Sequence, residues 1–147
     1  MNPRYVLDTF AILAWMGNEP GAEAVQAVLD RASKGAAGIA VSWVNLAEVY
    51  YIARRYAGGR DGEAAAIRAI QTVEALPVEI AVADKAASMA AARIKAAYPL
   101  SLADAFAASL ASSNQAQLLT GDPEFKRLEQ AHEIEVRWLP QKSKKSG

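Results

Sequence analysis

The sequence contains no cysteine and only one histidine, His132. The first absence excludes disulfide scaffolds, thiol nucleophiles and thiolate metal sites, and fits a reducing cytoplasm. The second leaves no Ser-His-Asp or Cys-His arrangement to argue for, and His132 reads as a surface histidine rather than a general base. No run approaches about eighteen consecutive apolar residues, so no membrane-spanning helix is expected. The first apolar run, Tyr5-Val6-Leu7, is interrupted by Asp8 and is too short for a signal peptide. Neither sign of charge is in excess: 16 Lys and Arg balance 16 Asp and Glu. A net charge of zero argues against coating nucleic acid by bulk attraction alone, but leaves room for a local basic surface.

What is present is apolar and helix-forming. Of the 147 residues, 52% are hydrophobic, enough for one domain with a substantial core. Alanine makes up about a fifth of the chain, which favours closely packed helices because alanine loses no side-chain entropy on ordering. Short β-type runs alternate with longer helical stretches. The runs are 5–7, 38–41, 78–80, 118–120 and 134–138, and the alternation in the last suggests an edge strand. Helices are expected over 9–16, 21–34, 43–56, 61–75, 84–97, 102–114 and 123–129, separated by Pro20, Gly58-Gly59, Pro77 and Pro99. This order predicts a mainly parallel sheet covered by helices on both faces. A single domain over 1–140 is expected, followed by a flexible basic tail, 141–147, with Lys142, Lys144 and Lys145.

Four acids stand where such a fold builds sites, outside the carboxyl ends of strands and at helix starts. Asp8 follows Tyr5-Val6-Leu7; it is either the N-cap of the next helix or a site residue. Glu48 shares its helix face with Val44, Asn45, Tyr51 and Ile52. An ionised carboxylate among such groups needs a partner or a cation, whereas the structural alternatives are solvation at a face boundary or pairing with Arg55. Asp104 lies three residues after Ser101, as in a capping box, yet its helix face continues through Ala107, Ala108 and Ala111 toward the protein. Asp122 before Pro123 is a strong helix start on its own.

Taken together the four point to a shared site. Carboxylates about 5 Å apart repel by roughly 3 kcal/mol at an effective dielectric of about 20. Four converging anions therefore require protons or a divalent cation. With oxygen the only plentiful ligand, Mg²⁺ or Mn²⁺ is favoured over Zn²⁺. Such an ion lowers the pKa of a bound water and neutralises phosphodiester charge. An aspartyl phosphotransfer reading is set aside, because the second Asp it needs, two residues after Asp8, is Phe10.

The same residues carry a resemblance. The segments Tyr5-Val6-Leu7-Asp8-Thr9-Phe10-Ala11-Ile12-Leu13-Ala14, Asn18-Glu19-Pro20-Gly21, Ser42 with Asn45-Leu46-Ala47-Glu48-Val49, Leu102-Ala103-Asp104-Ala105-Phe106-Ala107-Ala108, and Leu119-Thr120-Gly121-Asp122-Pro123-Glu124-Phe125 occur in order across nearly the whole chain. Together they resemble the PIN-domain ribonucleases, most closely the VapC-type toxins of toxin–antitoxin modules. The resemblance implies a three-layer α/β/α sandwich around a five-stranded parallel sheet. It implies an Mg²⁺- or Mn²⁺-dependent endoribonuclease, a homodimer, and a cognate antitoxin that covers the site. Asp8, Glu48, Asp104 and Asp122 match the acidic quartet, and Thr9 and Thr120 the hydroxyl residues beside it. Phe10 departs from the pattern, since many members carry Ser or Asn there. The alternative is a PIN-like module that binds RNA or protein without cutting.

Substrate contacts are less specific. Arg54, Arg55, Arg60 and Arg68 surround the Gly58-Gly59 turn. Arg54 and Arg55 are candidate phosphate contacts, or a solvated helix end. Trp15, Met16 and Trp43 either line a partner groove or fill the core.

Overall fold

The computed structural model describes residues 2–140, so the expected tail at 141–147 lies outside the described residues. The chain begins in the middle of its sheet. Strand β1 (Arg4–Leu7) is followed by α1 (Thr9–Met16) and α2 (Ala22–Ser33), then β2 (Gly38–Ser42). Helices α3 (Trp43–Ala57) and α4 (Gly62–Glu74) lead to β3 (Glu79–Ala81). Helices α5 (Lys85–Ala97) and α6 (Leu102–Ser113) return the chain to β4 (Gln117–Thr120), and α7 (Lys126–Gln130) precedes β5 (Glu135–Trp138).

The five strands are ordered β3-β2-β1-β4-β5 and every pairing is parallel. β5 pairs with β4 alone and is an edge strand, as its alternation suggested. The chain moves outward from β1 through β2 to β3, then crosses back to β4. The order therefore reverses beside β1, and the crevice at the carboxyl ends of β1 and β4 is where this topology opens a site.

Both faces of the sheet are apolar, with a period of two. Tyr5, Leu7, Ile39, Val41 and Leu119 point to one core, where Ile12, Val28, Val49 and Val73 from α1 to α4 meet them. Val6, Ala40 and Leu118 point to the other, filled by Ala91, Phe106, Phe125 and Leu128. This is the three-layer sandwich. Alanine is what lets α6 sit deep in it: Ala103, Ala105, Ala107, Ala108 and Ala111 are all buried.

Most boundaries shift by a residue, and three differences have a local reason. β3 starts one residue late because Val78 N–H donates to the Leu76 carbonyl (2.8 Å), closing a turn about Pro77. The expected helix over 61–75 begins with a 3₁₀ turn, Gly59–Asp61, before α4. The expected helix over 123–129 divides into a 3₁₀ turn, Pro123–Phe125, and α7. Asp122 accepts from Glu124 N–H, two residues on, which tightens that first turn. Among the described residues no helix is long and apolar enough to cross a membrane.

Candidate functional site

Asp8 caps a helix with one carboxylate oxygen and reaches the end of β4 with the other. It leaves β1 in extended conformation and its Oδ1 accepts from Ala11 N–H (2.8 Å), so α1 starts at Thr9. Its other oxygen, Oδ2, accepts a short hydrogen bond from the Thr120 hydroxyl at the end of β4. Thr120 Oγ1 in turn accepts from Asp122 N–H (3.0 Å). Asp8 is 1% exposed. Burial raises its carboxyl from 3.8 to about 7, although the bonds from Thr120 and Ala11 pull it down; the charges of Asp122 and Glu48 raise it further.

Asp104 occupies the first turn of α6. Ser101 caps that helix, its hydroxyl accepting from Asp104 N–H (3.1 Å), which satisfies the backbone. The residue is 7% exposed. Burial, then the charges of Asp122 and Asp8, push it up to about 8; Ser101 opposes this, and Glu124 adds a smaller upward push.

Asp122 and Glu124 complete the cluster from the loop after β4. The carboxylate oxygens of Asp104, Asp122 and Glu124 lie within 4.8 Å of one another. Glu124 was not singled out from the sequence. It stands two residues after Asp122, inside the 3₁₀ turn, and only that tight turn brings it onto the same side. Among the described residues these acids have no cationic partner, and the one ion pair is Arg54–Glu63. Crowded, partly buried oxygens with no Lys or Arg beside them fit a hard divalent cation.

Glu48 stands apart from this triad. It is half-buried on α3, and its Oε2 accepts from the Tyr51 hydroxyl (3.2 Å). Its charge is close enough to raise the Asp8 carboxyl, so it faces the same crevice. Its hydrogen-bond partner is Tyr51 rather than Arg55. The Arg55 guanidinium lies over the Tyr51 ring, 5.0 Å from its centroid. The Glu48 charge holds the Tyr51 hydroxyl above its ordinary pKa, reinforced by burial and the hydrogen bond, with Arg55 opposing.

The remaining candidates separate. Arg54 pairs with Glu63 on α4 (3.7 Å), and Tyr50 donates to the same carboxylate (3.0 Å). Trp15 and Met16 pack against the core, and Trp15 Nε1 donates to Gln26 (2.8 Å). Trp43 is 38% exposed and lines a groove of about 500 Å³ with Leu46, Tyr50, Ile67 and Ile70. His132 is exposed, as expected. Thr9 is buried, its hydroxyl bonded to Asn45. Phe10 is half-buried and its ring covers Gly121, where an added Cβ would sit 2.4 Å from Cε1 and Cζ. The ring thus takes the place of the Ser or Asn expected there and makes residue 121 obligatorily small.

Fold and site together define a three-layer α/β domain with a carboxylate cluster at the carboxyl edge of a parallel sheet. The PIN domain family model matches residues 5–131, and the chain belongs to that family. Solved structures share the fold. VapBC2 of Rickettsia felis, bound to a DNA fragment from its promoter, superposes with a TM-score of 0.68 at 17% identity, over 93% of this chain and 99% of that one. VapBC-5 of Mycobacterium tuberculosis, from the VapBC family of toxin–antitoxin systems, gives 0.62 at 22% identity, over 92% and 98%. FitAcB of Neisseria gonorrhoeae gives 0.63 at 19%, over 90% and 95%. No curated relative matches the sequence.

Proposed function

We propose that this chain is a divalent-cation-dependent endoribonuclease acting as the toxin of a toxin–antitoxin pair in the cytoplasm. The observation that carries the reading is the convergence of Asp8, Asp104, Asp122 and Glu124 at the β1–β4 crevice, with Asp8 and Asp104 raised toward neutrality and, among the described residues, no basic residue paired to any of them. Asp104, Asp122 and Glu124 would hold Mg²⁺ or Mn²⁺, with Asp8 and Glu48 adding charge from the β1 and α3 sides. When bound, such a cation supplies a water of lowered pKa and offsets charge on a phosphodiester. Thr120 fixes the Asp8 carboxylate through one oxygen while Ala11 N–H holds the other. The chain thus presents carboxyl oxygens already fixed in place, which favours a cation without reorganisation at the moment of reaction. Arg55, stacked on Tyr51 beside Glu48, would meet an RNA phosphate.

The toxin assignment draws on the company this fold keeps. VapBC and FitAcB assemblies recur among the structures of the same fold, which supports an antitoxin partner and is compatible with a homodimer. The test is cleavage of structured RNA with Mg²⁺, Mn²⁺ or EDTA by the wild type and Asp104→Asn. Cleavage is expected only in the wild type with metal. Equal cleavage by both proteins, or undiminished cleavage in EDTA, rejects the metal-dependent enzyme. RNA binding without cleavage favours a non-catalytic module instead.

A further inference from the structure

Asn45 lies in the first turn of α3 and is 0% exposed. Its Nδ2 donates to Thr9 Oγ1 (3.0 Å) and to the Ala103 carbonyl (3.4 Å). Thr9 Oγ1 also donates back to the Asn45 carbonyl (3.4 Å). Each partner is the sequence neighbour of an acid: Thr9 follows Asp8, and Ala103 precedes Asp104. Glu48 follows one turn later on the same helix.

The oxygen of the same amide shows what the position is for. Asn45 Oδ1 is buried and has no hydrogen-bond partner. An unsatisfied buried acceptor is destabilising, and an apolar residue of the same size would avoid that cost. Turning the amide over brings no relief, because Oδ1 would then oppose the Ala103 carbonyl. The structure keeps an orphan acceptor in order to retain two donors. Those donors join α1, which Asp8 caps, to α3 and α6, which carry Glu48 and Asp104.

We infer that Asn45 is a positioning residue whose amide ties the start of α1 to the start of α6 and so holds Asp8 and Asp104 at the spacing a shared cation needs. The inference rests on the acidic cluster being a cation site. Asn45 itself does not touch the cation or the RNA.

The tie is tested without metal by urea unfolding in EDTA of the wild type, Asn45→Ala, Thr9→Val and the double variant. A real tie makes the losses non-additive, with the double variant less destabilised than the two single losses together. Its purpose is tested by calorimetric titration with Mn²⁺. Asn45→Ala is expected to bind at least ten-fold more weakly than the wild type. Val28→Ala, in α2, which carries none of the acids, is expected to bind normally despite losing stability. Asn45→Leu serves if Asn45→Ala does not fold. It removes both donors and the orphan oxygen together, so its stability should hold while Mn²⁺ affinity falls. Additive losses, or wild-type Mn²⁺ affinity in Asn45→Leu, overturn the inference. No Mn²⁺ uptake by the wild type overturns the cation site itself, and the cycle in EDTA then shows whether the tie stands alone.

Discussion

The Thr120 hydroxyl donates to Asp8 Oδ2 across 112 residues of sequence, joining the ends of β4 and β1. The same oxygen of Thr120 accepts from Asp122 N–H, so a single side chain fixes one acid and orients the loop that carries two others. Thr120→Val keeps the shape and removes both functions. It should destabilise the protein by about 1–2 kcal/mol in urea, since one buried carboxyl and one backbone N–H lose their partner. The Asp8 carboxyl, deprived of the bond that lowers it, should titrate higher than about 7 by carboxyl-carbon NMR. An unchanged titration would show that the hydroxyl does not act on Asp8.

Asp8 and Asp104 make stability depend on pH with a definite sign. Their folded values, about 7 and about 8, lie above the ordinary 3.8. The folded state therefore binds more protons than the unfolded one between about pH 4 and pH 8, and stability falls as pH rises through that window. In EDTA the melting temperature should be several degrees lower at pH 8 than at pH 5. Mn²⁺ should raise it more at pH 8, where protons compete less. Asp8→Asn retains an N-cap of similar strength, so it should fold, lose much of the pH slope and lose most of the Mn²⁺ shift. Differential scanning fluorimetry reads all three.

Phe10 and Gly121 form a second long-range pair. A Cβ on residue 121 would meet the Phe10 ring at 2.4 Å. Gly121→Ala should destabilise by about 1–3 kcal/mol through overpacking. Phe10→Ser in the same chain should recover much of that loss, and a urea double-mutant cycle should give a coupling of at least about 0.5 kcal/mol. Additive losses would mean that the ring moves aside freely.

Arg55 and Arg54 should differ although they are neighbours on α3. Arg54 is engaged by Glu63, whereas Arg55 lies over Tyr51 beside the acidic crevice. In the cleavage-impaired Asp104→Asn background, Arg55→Gln should weaken single-stranded RNA binding and reduce the salt slope by about 0.7, the value for one phosphate contact. Arg54→Gln should change the slope less. Fluorescence anisotropy over a salt series separates them, and identical slopes for both variants would remove the assignment.

Much of the fold was legible because its signals are local. Asp8, Ser42, Asp84, Ser101 and Asp122 each accept from a backbone N–H two or three residues on, which is why the helix starts could be placed. The apolar runs at 5–7 and 118–120 became central strands, and the alternating run at 134–138 became an edge. Capping and site membership, which had stood as alternatives for Asp8 and Asp122, are compatible. A carboxylate has two oxygens, and in Asp8 the helix takes one while Thr120 takes the other.

What escaped the sequence depends on distance in space. Glu124 joins Asp104 and Asp122 because the turn after Asp122 is 3₁₀ rather than α. Asn45 reads as one polar residue in an apolar stretch until Thr9 and Ala103 are beside it. Phe10 reads as a departure from a pattern until its ring is found over Gly121. The sequence by itself determined the alternation of strand and helix, the caps, and an all-oxygen donor set in a chain without cysteine. Only the tertiary structure decided which acids are buried, which oxygens are already bonded, and which carboxyls are raised toward neutrality. Hydrogen bonding at a cap depends on the next three residues, whereas desolvation and charge repulsion depend on every segment the fold brings near.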